Sequence, residues 1–343
     1  MARPKKISMQ TIADDLKISK NAVSLALSGK KGVSEQVRNE VKQRAKDLGY
    51  SMQNKQQRGS SNILVLVPER VMSYEDNEHF HFYHDMLWGL EAAIRKEGYN
   101  AVIAKIDVEM EKKGMLPGIF DIDHAGVILF GIMDKSYARK VWELNTPLVM
   151  IDSYYRDLPC AVAASSNLEG AHAAVSYLLE LGHKRVGFMG PSNLTTSHED
   201  RWFGYWKAMA DQGLYPDSKD CLVYSDGYRS TREEISAFLD QHQDSMPTAF
   251  FCSNDRIALI LNELLRKRNY AVPQQISIIG FDDITLSAAA APSLTTMRVA
   301  KKAMTEAAVE LLLSEAGNKR ERIYYGVIPS LTIRESTGAP SNV

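Results

Sequence analysis

Ile7 to Tyr50 reads I-S-M-Q-T-I-A-D-D-L-K-I-S-K-N-A-V-S-L-A-L-S-G-K-K-G-V-S-E-Q-V-R-N-E-V-K-Q-R-A-K-D-L-G-Y, and its apolar spacing predicts three short helices. Met9, Ile12, Ala13 and Leu16 recur at i, i+3, i+4, i+7, the stripe of an amphipathic helix. Val37, Val41, Ala45 and Leu48 form the same kind of stripe, and Gly49 offers a left-handed stop. Ser8, Ser19 and Ser34 each stand one residue before a helical run. A hydroxyl there can accept a bond from an unpaired first-turn N–H.

The middle helix carries the chemistry. Ala22, Val23, Ala26 and Leu27 make its inward side, and the alanines allow close approach of a neighbour. Asn21, Ser24, Leu25 and Ser28 make the opposite side, with Ser19 and Lys20 at the first turn. Two helices joined by the tight turn Lys17–Ser19, the second presenting Lys, Asn and Ser, have the form that enters a DNA major groove. A solvated bundle with an idle polar face would share the periodicity. Local charge argues against it.

The order T-I-A-x-x-L-x-I-S-x-x-A-V-S-x-x-L-S-G, followed by V-S-x-x-V-R-x-x-V and L-G-Y, resembles the headpiece of the LacI/GalR family of bacterial transcription regulators. The resemblance puts Lys20, Asn21 and Leu25 on the family's main base-reading positions. Asn can bond adenine bidentately, Lys can reach guanine, and Leu offers only apolar contact to a thymine methyl. Two residues depart from the pattern. Lys17 stands where the family often has a turn glycine, and Leu25 where it usually has arginine.

Charge is distributed unevenly along the chain. The 343 residues carry 41 Lys and Arg against 42 Asp and Glu, a net charge of −1. Residues 1–60 hold 13 basic against 5 acidic side chains, and the remainder holds 28 against 37. A basic head on an acidic body fits a polyanion binder that presents one end to its partner. The 45% hydrophobic content supports a sizeable core. The three cysteines, Cys160, Cys221 and Cys252, are too scattered for a disulfide framework or a zinc site. The start M-A-R-P-K-K-I-S lacks a signal-peptide core, and no apolar run of spanning length follows, so the expected compartment is the cytoplasm, with no membrane association.

Residues 51–62 (S-M-Q-N-K-Q-Q-R-G-S-S-N) turn polar and read as a linker, with Lys55 and Arg58 available to DNA phosphates. By resemblance this region would carry a hinge helix with a wedging leucine, and no such leucine is present. Beyond it, strand signals alternate with helical ones. The strands are Ile63–Val67, Ala101–Ile106, Val127–Phe130 and Leu148–Ile151, then Val186–Met189, Leu222–Tyr224, Ala249–Cys252 and Ser277–Phe281. Helical patterns fall near Met86–Glu97, Tyr137–Leu144, Leu168–Leu181, Trp202–Ala210, Arg232–Gln241 and Ile257–Arg268. Short continuous apolar strands between helices predict parallel sheets covered on both faces, and two series predict two lobes with a cleft.

A dinucleotide-binding enzyme would share that alternation. G-F-M-G-P at 187–191 is not the required glycine loop, and neither a Walker loop nor G-x-S-x-G occurs. No enzyme activity and no cofactor are expected. Instead G-H-K-R-V-G-F, S-N-D-R-I-A, I-I-G-F-D-D, P-S-L-T-T and L-T-I-R-E-S-T resemble successive blocks of the family's effector domain. The expected architecture is therefore an N-terminal three-helix helix-turn-helix headpiece (1–50), a polar linker (51–62) and an α/β two-lobed periplasmic-binding-protein-like body (63–338).

Ligands of open α/β sheets bind at the carboxyl ends of the strands. Asp152, Asn254, Asp255 and Asp282 follow predicted strands, and Ser197 and Arg201 lie one helical turn apart. Tyr228 matches the family's aromatic cleft position, and Phe82 lies in a family effector-lining segment. Carboxylates, amides and a guanidinium suit sugar hydroxyls, which both donate and accept. Asp283 and Ser253 are expected to hold loops. In E-H-F-H-F-Y-H-D (78–85), His79, His81, His84 and Asp85 could ligate a metal, but packing is the expectation. The resemblance implies a repressor that binds a near-palindromic double-stranded operator as a homodimer and responds to a small carbohydrate. A nucleobase or nucleoside regulator is the alternative, and a solute-binding protein a more distant one. No leucine heptads follow Thr337, so a dimer is expected and not a tetramer.

Overall fold

The structure is a computed structural model that describes residues 9–27, 32–48, 61–72, 77–225, 231–242, 245–314 and 322–341. The chain divides into two compact units, Met1–Ser60 and Ser61–Val343.

In the first unit α1 (Met9–Leu16), α2 (Lys20–Leu27) and α3 (Glu35–Asp47) enclose a small core. Ile12, Ala13, Val23, Ala26, Val41 and Ala45 are buried, with Leu16, Ile18, Leu27, Val37 and Leu48 packed around them. Two of the three hydroxyls expected to cap do so: Ser19 Oγ accepts from Ala22 N at 3.1 Å and Ser34 Oγ from Val37 N at 3.3 Å, while Ser8 lies outside the described residues. Between α1 and α2 the Ile18 N–H reaches the Ala13 carbonyl at 3.0 Å, and Lys17 sits at φ 51°. This is a helix-ending turn whose left-handed position usually falls to glycine. Arg44 on α3 clasps Asp15 at 2.7 and 3.0 Å, tying α3 to the segment before that turn.

The second unit contains two parallel sheets. The first, in spatial order β11-β5-β4-β3-β1-β2, comprises β1 (Asn62–Pro68), β2 (Asn100–Ile106), β3 (Gly126–Phe130), β4 (Leu148–Ile151), β5 (Ala161–Ser165) and β11 (Tyr324–Val327). The second, β12-β10-β9-β8-β6-β7, comprises β6 (Val186–Met189), β7 (Cys221–Leu222), β8 (Ala249–Cys252), β9 (Ser277–Asp282), β10 (Thr295–Arg298) and β12 (Ser330–Thr332). Among the described residues only β12 runs antiparallel to its neighbour. Strands β3, β4, β5, β6, β8 and β9 are buried at every residue, as sheets covered on both faces require.

Helices α4 (Asn77–Lys96), α5 (Val108–Lys113) and α6 (Lys135–Glu143) accompany the first sheet. With the second come α7 (Asn167–Glu180), α8 (Thr196–Asp211), α9 (Thr231–Gln241), α10 (Asp255–Lys267) and α11 (Thr285–Ala289). The chain returns through α12 (Lys301–Leu313), which packs on α4 and on β3 to β5. It thus passes between the lobes after β5, after β10 and after β11, so each lobe is built from separated pieces of sequence.

Several expectations need correction. Strands β5, β10, β11 and β12 and helices α5, α11 and α12 are not anticipated; A-V-A-A-S and T-T-M-R are too short and too poor in large apolar residues to announce themselves. Asn62, assigned to the linker, begins β1 and pairs with Asn100. The strand expected at Leu222–Tyr224 is Cys221–Leu222. Helix α4 begins at Asn77, nine residues before its expected start, so the aromatic segment is helical. Helix α8 begins at Thr196, so the helical pattern near Trp202–Ala210 is its later part and Ser197 and Arg201 lie in its first two turns. Its polar first turns gave no apolar period because they face other polar groups. Gly204 holds α8 tightly on α7: a Cβ there would collide with the Leu168 carbonyl and Ala171.

Candidate functional site

On α2, Lys20 and Asn21 are exposed, while Ser24 and Leu25 are half-buried. Leu25 reaches toward Gly32. The Ser19 hydroxyl is engaged as the α2 cap. Ser28, Lys55 and Arg58 lie outside the described residues. The first unit therefore offers one polar helix end, anchored by a cap at its start and by an apolar core beneath.

In the second unit the carboxyl ends of β4, β8 and β9 meet the N-terminal end of α8. Six residues expected in the cleft line one cavity: Phe82, Asp152, Ser197, Arg201, Asn254 and Asp282. Tyr228 lies outside the described residues. Tyr83, Ile132, Thr195 and His198 line the same cavity and were not anticipated. Tyr83 neighbours Phe82 in the aromatic segment, where helical placement would have revealed both. The cavity has a volume of about 30 Å³, roughly the room of a water or two.

Arg201 organises the site. Its Nε donates to Asn167 Oδ1 at 2.8 Å, Nη1 to the Ser253 carbonyl at 2.6 Å and Nη2 to Asp282 Oδ1 at 3.1 Å. The guanidinium lies 3.8 Å from the centre of the Phe281 ring. A desolvated contact of this kind contributes about 2 kcal/mol. Five N–H groups minus these three bonds leave two for a ligand. Asp152 accepts from the Tyr83 hydroxyl at 3.0 Å, and its carbonyl accepts from Ser197 Oγ at 3.2 Å. Asp152 and Asp282 both adopt positive φ, 74° and 119°, a costly backbone that aims their side chains at strand ends.

Burial dominates the electrostatics. It raises the Asp152 carboxyl above its usual range, against the Arg201 charge and the Tyr83 bond. Burial also pushes Asp282 up to about 6, with Arg201 opposing and Asp152 adding repulsion. Behind them Asp255 is pushed up to about 7 by burial and by Asp282. Asp255 accepts from Ile284 N, Ser287 Oγ and Thr296 Oγ1, which makes it a brace between the start of α11 and β10. Asn254 Oδ1 caps α10 by accepting from Ile257 N at 2.9 Å, which leaves its amide N–H groups to donate to a ligand. Asp283 is held by Arg298 and Arg334, a loop-holding role as anticipated.

A second set of contacts joins the lobes beside the cavity. Thr196 Oγ1 donates to the Tyr154 carbonyl at 2.6 Å, and the Tyr154 hydroxyl to Asp200 at 3.1 Å. Arg156 reaches Asp200 at 2.6 Å and Glu199 at 2.9 Å. The sequence reading missed this group, whose members lie more than 40 residues apart.

His84 accepts from Trp88 Nε1 at 2.9 Å, and Asp85 pairs with Lys301 at 3.4 Å. Among the described residues no group of three or more His, Cys, Asp or Glu is arranged to hold a metal. The side chains of His79 and His81 lie outside that description. Likewise, among the described residues no helix is long and apolar enough to cross a membrane.

Residues 175–337 match the periplasmic binding protein-like domain family. The chain is 29% identical to the HTH-type transcriptional repressor CytR of Escherichia coli K12 over 315 residues, covering 90% of this chain and 89% of the relative. It is 29% identical to the arabinose metabolism transcriptional repressor of Geobacillus stearothermophilus over 261 residues, 73% of this chain and 71% of that one. Among solved structures, the lac repressor dimer bound to operator and the anti-inducer ONPF superposes with a TM-score of 0.70 at 20% identity. The match covers 98% of this chain and 100% of the other.

Proposed function

We propose that this chain, which belongs to the LacI/GalR family of transcriptional regulators, represses transcription as a dimer on a near-palindromic operator under control of a small carbohydrate. At the coarser level it is a ligand-responsive DNA-binding repressor and not an enzyme. One helix-turn-helix reads one half-site, so two-fold related headpieces call for a two-fold operator. In this reading Lys20, Asn21, Ser24 and Leu25 meet base edges, and Lys55 and Arg58 meet phosphates.

The observation that carries the effector reading is the convergence of Arg201, Asp152 and Asp282 between the lobes. Two acceptor carboxylates beside two spare guanidinium N–H groups match vicinal hydroxyls, and Phe82 offers an apolar face; the cavity as it stands holds a water or two, so in this reading the lobes part to admit the ligand. Likeness to a repressor named for arabinose metabolism supports a sugar. A nucleoside is the second reading, favoured by the Phe82 and Tyr83 rings beside the same polar set, which would suit a base and a ribose together. A ligand panel read by thermal shift separates them: a ligand at one hundred times its Kd stabilises the fold by about 2.7 kcal/mol. Stabilisation by sugars supports the first reading, by nucleosides the second, and by neither class of compound refutes both.

A further inference from the structure

We infer that the cleft admits an uncharged effector and rejects its phosphate ester, because two buried carboxylates face one guanidinium already committed to protein acceptors. This rests on the cleft being the effector site. Asp152 enters from the first lobe and Asp282 from the second, and both line the cavity. Three bonds fix Arg201 in place, one of them to Asp282 itself. Much of its charge is therefore answered before any ligand arrives.

The other positive groups do not make up the difference. Lys301 acts on Asp282 from a distance, but it lies 4.9 Å over the Phe82 ring and pairs with Asp85 at 3.4 Å, so its charge too is partly answered. His198 lines the cavity with Nδ1 2.7 Å from Thr195 Oγ1. The N-terminal end of α8 also points here and would favour an anion, but a helix end is worth only about half a charge. Glu199 and Asp200 occupy its first turns, and Arg156 is spent on them. A phosphate of roughly two negative charges would meet Asp152 and Asp282 at close range in a site from which water is largely displaced. Neutral hydroxyls avoid that repulsion and still use every donor and acceptor.

Matched pairs test this on the full-length protein by calorimetry: arabinose and its 5-phosphate, ribose and its 5-phosphate, glucose and its 6-phosphate, cytidine and its 5′-monophosphate. In each pair that binds at all, the uncharged member should bind at least about ten-fold tighter. Asp152→Asn and Asp282→Asn, tested separately in case one folds poorly, should each narrow the gap at least about three-fold. A phosphorylated member that binds wild type as tightly as its partner overturns the inference and leaves the cleft reading standing. Binding by no member of any pair, or binding unchanged in Arg201→Ala, overturns the cleft reading and the inference with it.

Discussion

Arg201 on α8 and Asp282 at the end of β9 form a buried ion pair at 3.1 Å, and this pair joins the start of a helix to the end of a strand within the second sheet's lobe. Asp152 stands close enough to repel Asp282, and Arg201, with a weaker contribution from Lys301, balances acids contributed by both lobes. The lobes' relative placement and the ligand chemistry therefore depend on the same few charges.

Breaking that pair from one side should be costly. Arg201→Ala is expected to destabilise the body by about 3–5 kcal/mol, since it leaves a buried carboxylate without its cation. Arg201→Ala combined with Asp282→Asn should cost less than the sum of the single changes. Urea unfolding of the four proteins measures this coupling. Strict additivity would show that the two side chains do not act as a unit.

Asn21 is exposed on α2 one residue after Lys20. Asn21→Ala should weaken binding to the preferred DNA site by about 1–3 kcal/mol and relax preference at one base pair. Competition between the preferred and a scrambled duplex is the measurement. An unchanged ratio would remove α2 from base reading.

Lys17 occupies a left-handed turn at φ 51° that a glycine adopts without steric cost. Lys17→Gly should stabilise the helical unit by about 1 kcal/mol, seen as slower hydrogen exchange of α1 and α2 amides in the full chain. Faster exchange would mean that the lysine side chain contributes more than its backbone costs.

These sites differ in how readily the sequence discloses them. The α2 face follows from helical periodicity and serine caps, both local signals, and the strand-end acids follow from alternation of buried strands with helices. Tyr83, Thr195 and His198 were hidden because finding them requires knowing where α4 and α8 begin. Both helices open on polar or aromatic turns with no apolar period. The interlobe group of Tyr154, Arg156, Glu199 and Asp200 is invisible for a different reason: its partners meet only after the chain has crossed between sheets. Strand β5 was lost because alanines fill it, and their small volume suits close packing without marking a strand.

Acidity gives a further test. Burial pushes Asp255 up to about 7 in the folded protein, against about 3.9 for a free carboxyl. The folded state thus holds a proton that the unfolded state releases. The stabilising effect is fully present below pH 4 and is lost as pH rises through about 7. Asp282, at about 6, acts in the same sense. Burial lowers the His183 imidazole, against its bond to the Gly338 carbonyl, and it acts in the opposite sense as pH falls through 6.5. The unfolding free energy of wild type minus that of Asp255→Asn reports Asp255 together with its coupling to Asp282. This difference should rise as pH falls from 8 to 5, by at most about 1.4 kcal/mol per pH unit. A flat difference would contradict the assignment.

The central claim is that one protein couples sequence-specific DNA binding to a ligand in the cleft. Selection from random duplexes yields a preferred site, and fluorescence anisotropy then gives its affinity at fixed salt, with and without the ligand found by thermal shift. A two-fold symmetric site and a ligand-dependent change of at least about five-fold, the lower range of allosteric coupling, are expected. The same ligand should leave DNA binding by Arg201→Ala unchanged. Failure to enrich any sequence, or an affinity that the bound ligand does not alter, would contradict the central claim.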